Sequence, residues 1–285
     1  VGRPTLGWRT RRETFDISSR FGPVYQAARA QRRVLPRGAN ELVYLLVPGA
    51  YGNQIPGYMR SVQEHLDGRG LDVHRSRINT LADCASNAAT LRDEILALAN
   101  PATGPPRQVV LITHSKGGAD ALVADASYPE LHPHIRAMLL MQPAYDQGTP
   151  LAALSNNPLS RALVRRMGGR GDLIGDLSPD VRKRFATGTP RRTGVPTLVL
   201  ATSNRRAKSV LRPVGTVLRW FGHGDSDGMI PRDAQLIAGS HSVVLDDMDH
   251  AGPILKLPGA AYEPGPLVEA LLGLTLRLPR EHHER

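Results

Sequence analysis

The sequence predicts an α/β protein with a mostly parallel central sheet covered by helices on both faces, and three observations carry that expectation. Apolar, β-branched runs of four to seven residues recur along the chain and are stopped by Pro, Gly or polar turn residues. Helical stretches alternate with these runs, and continuous rather than alternating apolar runs belong to strands buried on both faces. The length of 285 residues, 41% of them hydrophobic, suffices for one large domain with a sizeable core.

Taken in order, residues 1–40 read as an Arg-rich, irregular N-terminal arm holding one short helix near 24–33. Leu42-Val43-Tyr44-Leu45-Leu46-Val47 is a buried strand ended by Pro48-Gly49. A helix over 58–66 ended by Gly68, a strand over 71–77 and a helix over 87–99 follow, closed by the Pro/Gly break at 101–106. Val109-Val110-Leu111-Ile112 is the next strand, and a small-residue helix runs from the turn after it to about Ser127. Further strands are expected at 135–141, 197–201 and 242–245, with a closing helix over 267–276. Between Pro150 and Pro196 the pattern changes to Leu/Arg helical stretches broken by glycines, without a strand. The expected organisation is therefore an arm over 1–40, a core over 41–150 and 193–285, and an inserted helical cap over 151–192. A second polar insert spans 204–222.

Composition excludes several classes. No apolar run approaches the roughly 18 residues that a membrane-spanning helix needs. With 28 Gly and 23 Pro the chain is neither collagenous nor disordered. Its one cysteine, Cys84, excludes an intramolecular disulfide and a multi-cysteine metal site. The absence of an initial Met and of an apolar signal core leaves localisation open, a processed secreted form included. The net charge of +10 invites a nucleic-acid or anionic-membrane partner. That excess is confined to residues 1–40, at +7, and 160–220, at +11, while the remainder carries −8. Few aromatics interleave with the arginines of 160–220, where only Phe185 and Trp220 occur, so a single-strand nucleic-acid groove is not expected.

The sharpest chemical signal is Thr113-His114-Ser115-Lys116-Gly117, set between a strand and a small-residue helix. A serine at such an apex is held exposed above the sheet, and the helix N-terminus beside it presents backbone N–H groups to a developing oxyanion. The bland alternative is a turn serine that caps a helix. With that strand, turn and helix the chain resembles the α/β-hydrolase family, and within it the bacterial lipases and esterases. Thr113 stands where the family usually has Gly.

The resemblance implies Ser115 as nucleophile, and it extends to Pro48-Gly49-Ala50-Tyr51-Gly52, which is similar to the oxyanion loop with Pro in place of His. It thereby implies the amides of Ala50 and Lys116 as oxyanion donors. Met141-Gln142-Pro143 through Gly148-Thr149-Pro150 resembles the exit toward a lid. In His223-Gly224-Asp225-Ser226-Asp227-Gly228-Met229-Ile230-Pro231 the match selects Asp227 as the acid, with Asp225 as the alternative. The base is expected at His250, because Asp249-His250-Ala251-Gly252-Pro253 follows the strand over 242–245. His241 opens that strand at the wrong end, and His223 lies close to the acid in sequence. The Lys116 side chain is expected to point outward, in a structural or interfacial role.

What the resemblance implies is a serine hydrolase cleaving carboxylic esters through an acyl-enzyme, with no metal or organic cofactor. The substrate would be an apolar ester, including one presented at a lipid or polymer surface; nucleic acid is not expected, and oligomeric state is not legible. Acyl transfer, thioester cleavage or amide cleavage would use the same residues. A non-enzymatic basic binding protein would instead show salt-sensitive binding without esterase activity.

Overall fold

The computed structural model describes residues 14–146, 158–168, 173–177, 194–205, 211–220 and 224–280. Seven strands form one parallel sheet: β1 (Phe15–Asp16), β2 (Val43–Val47), β3 (Asp72–Arg75), β4 (Val109–His114), β5 (Ile135–Met141), β6 (Thr197–Thr202) and β7 (His241–Leu245). Their order across the sheet is β1-β7-β6-β5-β4-β2-β3, with β2 seated between β3 and β4. Parallel neighbours need crossovers, and helices lie in them: α1 (Ser18–Arg29), α2 (Arg60–Gly68), α3 (Cys84–Ala99), α4 (Lys116–Ser127), α5 (Pro158–Arg166), α6 (Leu173–Asp176), α7 (Arg212–Trp220) and α8 (Arg232–Gln235), while α9 (Pro264–Thr275) follows the last strand.

Why the central runs of β2, β4 and β5 are apolar at nearly every position is visible in how they divide. Side chains alternate across a strand, so consecutive residues serve opposite faces. Tyr44, Leu46, Val110, Ile112, Leu139 and Met141 join the core that contains Val62 and Leu66 of α2 and Leu267 and Leu271 of α9. Leu45, Val47, Leu111, Met138 and Leu140 join the other core, with Leu91 and Ile95 of α3. Each such fully buried Leu or Ile contributes roughly 1.5–3 kcal/mol relative to exposure. The first turn of α3 is fixed by Asp83, whose carboxylate accepts a hydrogen bond from the Ser86 amide at 2.7 Å.

One region differs from the sequence expectation. Residues 15–29 are built into the fold: β1 pairs with β7, in register Phe15 to His241, and α1 covers the sheet against α9. The helix begins six residues before the expected start because its apolar stripe is Phe21, Tyr25 and Ala28, with Pro23 inside the helix. Phe21 and Tyr25 form an aromatic cluster with Tyr262, whose ring centroid lies 5.1 Å from that of Tyr25. Of the expected cap, α5 and α6 are described; Phe185 lies outside the described residues, as does His223. Among the described residues no helix is long and apolar enough to cross a membrane.

Candidate active site

At the C-terminal end of β4 the chain turns sharply into α4, and Ser115 at that turn has φ 54° and ψ −124°. A positive φ in a non-glycine residue is strained and persists only where the surroundings enforce it. Here the Ser115 amide donates to the Met141 carbonyl at 3.0 Å, and the Ser115 carbonyl accepts from the Gly118 amide at 3.0 Å. Two glycines make room for the turn. A Cβ on Gly117 would lie 2.5 Å from the carbonyl oxygens of Val47 and Pro48, so the loop after β2 can touch the elbow only if residue 117 is glycine. A Cβ on Gly118 would lie 3.1 Å from Thr113 Oγ1, which shows how the fold accommodates threonine at 113: the following helix vacates the space.

The loops after β6 and β7 bring Asp227 and His250 to this serine. His250 Nε2 lies 2.9 Å from Ser115 Oγ, and His250 Nδ1 lies 2.8 Å from Asp227 Oδ2. Asp227 is fully buried, and its other oxygen accepts hydrogen bonds from the amides of Met229 and Ile230, each at 2.8 Å. Gln235 of α8 donates to Oδ2 at 3.2 Å. These donors hold the carboxylate in place with Oδ2 turned toward His250 Nδ1. The structure separates the two aspartates that the sequence left in competition. Asp225 faces guanidinium groups instead, with Arg205 at 3.8 Å and Arg232 at 4.0 Å. His241 lies at the start of β7, its ring 5.2 Å from that of Phe15.

The loop after β2 also lies against Ser115: a Cβ on Gly49 would sit 2.9 Å from Ser115 Cβ. Among the described residues neither the Ala50 nor the Lys116 amide is spent on a backbone acceptor. The Lys116 side chain, expected to face outward, is instead 1% exposed. Its ammonium donates to Asp120 at 2.6 Å, one helical turn on, and Asn87 of α3 donates to the other Asp120 oxygen at 2.9 Å. Burial alone lowers the lysine pKa, but the Asp120 carboxylate outweighs it and holds the ammonium above its ordinary value. The difference comes with the packing of α4 on α3, which buries Lys116 and leaves its ammonium paired with Asp120 on the same helix. The Lys-x-x-x-Asp spacing was the available signal.

His114, between Thr113 and the serine, is also buried, and its pKa is pushed down to about 3 by loss of hydration and by the neighbouring His250. In the unfolded chain it titrates near its ordinary 6.5. Between those values the unfolded state holds one more proton, so the stability from a neutral His114 is complete above pH 6.5 and is lost as pH falls, by about 1.4 kcal/mol per pH unit. His114→Gln is expected to remove that dependence. Urea unfolding followed from pH 7 to pH 4 checks it; parallel stability curves for the two proteins would refute it.

No family model matches the sequence, and no curated protein does. The fold is similar to solved structures. A metagenomic carboxyl esterase superposes with TM-score 0.73 at 20% identity, over 92% of each chain. The mature form of a Bacillus licheniformis lipase gives 0.60 at 20% identity, over 75% of this chain and 86% of that one. EstA from Clostridium botulinum gives 0.57 at 13% identity, over 89% and 91%. Together with the all-parallel sheet flanked by helices, these likenesses identify the fold as that of the α/β-hydrolases.

Proposed function

We propose, from the α/β-hydrolase fold that the chain adopts, that it is a serine hydrolase acting on carboxylic esters. The observation that carries this reading is the hydrogen-bonded series Ser115, His250 and Asp227, set beside the amides of Ala50 and Lys116, which among the described residues donate to no backbone acceptor. Superposition on proteins named carboxyl esterase and lipase supports the same class of substrate.

In this reading Ser115 Oγ attacks the ester carbonyl as His250 Nε2 takes its proton, because the hydroxyl is a poor nucleophile unaided. Asp227 holds the Nδ1 proton and stabilises the imidazolium. The oxyanion is received by the amides of Ala50 and Lys116, contacts worth roughly 3–4 kcal/mol each in comparable sites. Protonated His250 returns its proton to the departing alkoxide, leaving an acyl-serine. Water then attacks the acyl-serine with His250 again as base, releasing the acid and restoring Ser115. Fluorophosphonate labelling with mass mapping tests the reading: modification is expected at Ser115, and label elsewhere or none overturns it.

The insert over 151–192 is proposed to cap this site. Leu173 of α6 is 2% exposed and packs with Leu81, with Ala50 of the oxyanion loop and Leu177 against them. Leu177 also reaches the cluster of Ala144, Ile230 and Ala234, to which Met229 of the acid loop belongs. Asp176 accepts a hydrogen bond from the Cys84 amide at the start of α3 at 2.5 Å. α6 thus links the two sides of the candidate site through apolar contacts, which suits an apolar acyl group. If the cap moves at an interface, rates on p-nitrophenyl esters rise more steeply once the substrate forms micelles; a single saturation curve through that concentration counts against it.

A further inference from the structure

Beside Ser115, side chains from four separate segments make one continuous hydrogen-bonded series that the proposed chemistry does not use. The Gly49 amide donates to Tyr58 Oη at 2.9 Å, and Tyr58 Oη lies 2.6 Å from His114 Nδ1. His114 Nε2 lies 2.9 Å from the His250 carbonyl oxygen and 3.0 Å from Gln142 Oε1. The Gln142 amide nitrogen donates to the Asp249 carbonyl at 2.9 Å and to Thr202 Oγ1 at 2.5 Å. Tyr58, His114, Gln142 and Thr202 are each no more than 4% exposed.

The direction of every bond in the series follows from its ends. Backbone carbonyls only accept, so the Asp249 carbonyl orients the Gln142 amide with its oxygen toward His114. His114 Nε2 then faces two acceptors and carries the ring proton, leaving Nδ1 to accept from the Tyr58 hydroxyl. That hydroxyl accepts in turn from Gly49. Burial pushes the Tyr58 phenol far above its usual range, so it stays a donor, and His114 stays neutral beside a ring whose centroid is 4.7 Å away at His250.

We propose that Tyr58, His114 and Gln142 are positioning residues that tie the oxyanion loop, through Gly49, to the main chain of Asp249 and His250, so that donor amide and base are placed on Ser115 by one shared relay. This rests on the serine hydrolase reading and deepens it. A relay of this kind is cut by loss of any member, so the members do not contribute independently. They differ from packing residues in that each can be altered with little change of volume.

The test is a double-mutant cycle on the full chain with a soluble p-nitrophenyl ester, kcat and KM being measured separately. Tyr58→Phe and Gln142→Met are each expected to lower kcat at least tenfold with KM within threefold, and the double variant to lose little more than the worse single one. Thermal unfolding is followed in parallel, and comparison is restricted to folded protein. Should Gln142→Met fail to fold, His114→Gln, which retains a donor and an acceptor, replaces it and is expected to stay within fivefold of the parent while His114→Leu loses at least tenfold. Multiplicative losses in the cycle, or unchanged kcat in folded Tyr58→Phe, overturn the relay. In either case labelling of the parent at Ser115 shows that the hydrolase reading stands, whereas a parent that neither labels nor turns over ester overturns that reading and the relay with it.

Discussion

Ser115→Ala is expected to lower kcat on a p-nitrophenyl ester by about a millionfold and to abolish fluorophosphonate labelling, and His250→Ala to cost nearly as much. The magnitude follows from their acting as one unit. Nε2 lies 2.9 Å from Oγ and is its one side-chain partner among the described residues, and without that acceptor the hydroxyl stays un-ionised at neutral pH. The double variant should therefore be no slower than either single one, because the residual rate comes from binding and the oxyanion amides alone. Initial rates on purified folded proteins, with contaminating esterase bounded by the labelling reaction, check this. A Ser115→Ala protein retaining a tenth of the parental rate would show that another nucleophile carries the activity.

Asp227→Asn is expected to lower kcat by about 10⁴, and Asp225→Asn by less than threefold. Both carboxylates belong to one loop, so a general disturbance of that loop would affect both alike. Their environments differ: Asp227 is fully buried against His250, whereas Asp225 faces Arg205 and Arg232. An amide at 227 can turn its NH₂ toward Nδ1, which then must be bare, and the proton moves to Nε2 where it blocks the serine. Measuring both variants against the parent, with unfolding curves to confirm that each is folded, separates the two carboxylates. Equal losses would remove Asp227 from the role proposed for it.

The central strands were legible because burial on both faces leaves an unmistakable run, and β5 lies where Ile135–Met141 reads as a strand. β1 was not, since two residues at a sheet edge carry no periodicity and owe their conformation to His241 and Ser242, far away in sequence. The same distinction holds in the site. Ser115, Asp227 and His250 each lie in a local pattern of turn residues after a strand. Tyr58, His114 and Gln142 show nothing locally, because, apart from the Gly49 amide nine residues before Tyr58, their partners are 28 to 136 residues away and the relay exists only once β4, β5 and the loop after β7 are side by side. Lys116 falls between these cases: its partner is on its own helix, but whether that face is buried depends on α3.

The pairing of β1 with β7 bears on how the chain acquires its structure. Phe15 finds His241 only after the intervening sequence has been made, and α1 finds its cover on α9 later still. During synthesis the apolar stripe of Phe21, Tyr25 and Ala28 emerges early and waits, while β2, β3 and β4 can already associate with one another. Contacts so distant in sequence carry a large loop-closure cost and form late. The outer edge of the sheet is thus the last part to close, and until it does, β7 offers an unpaired strand edge to other chains.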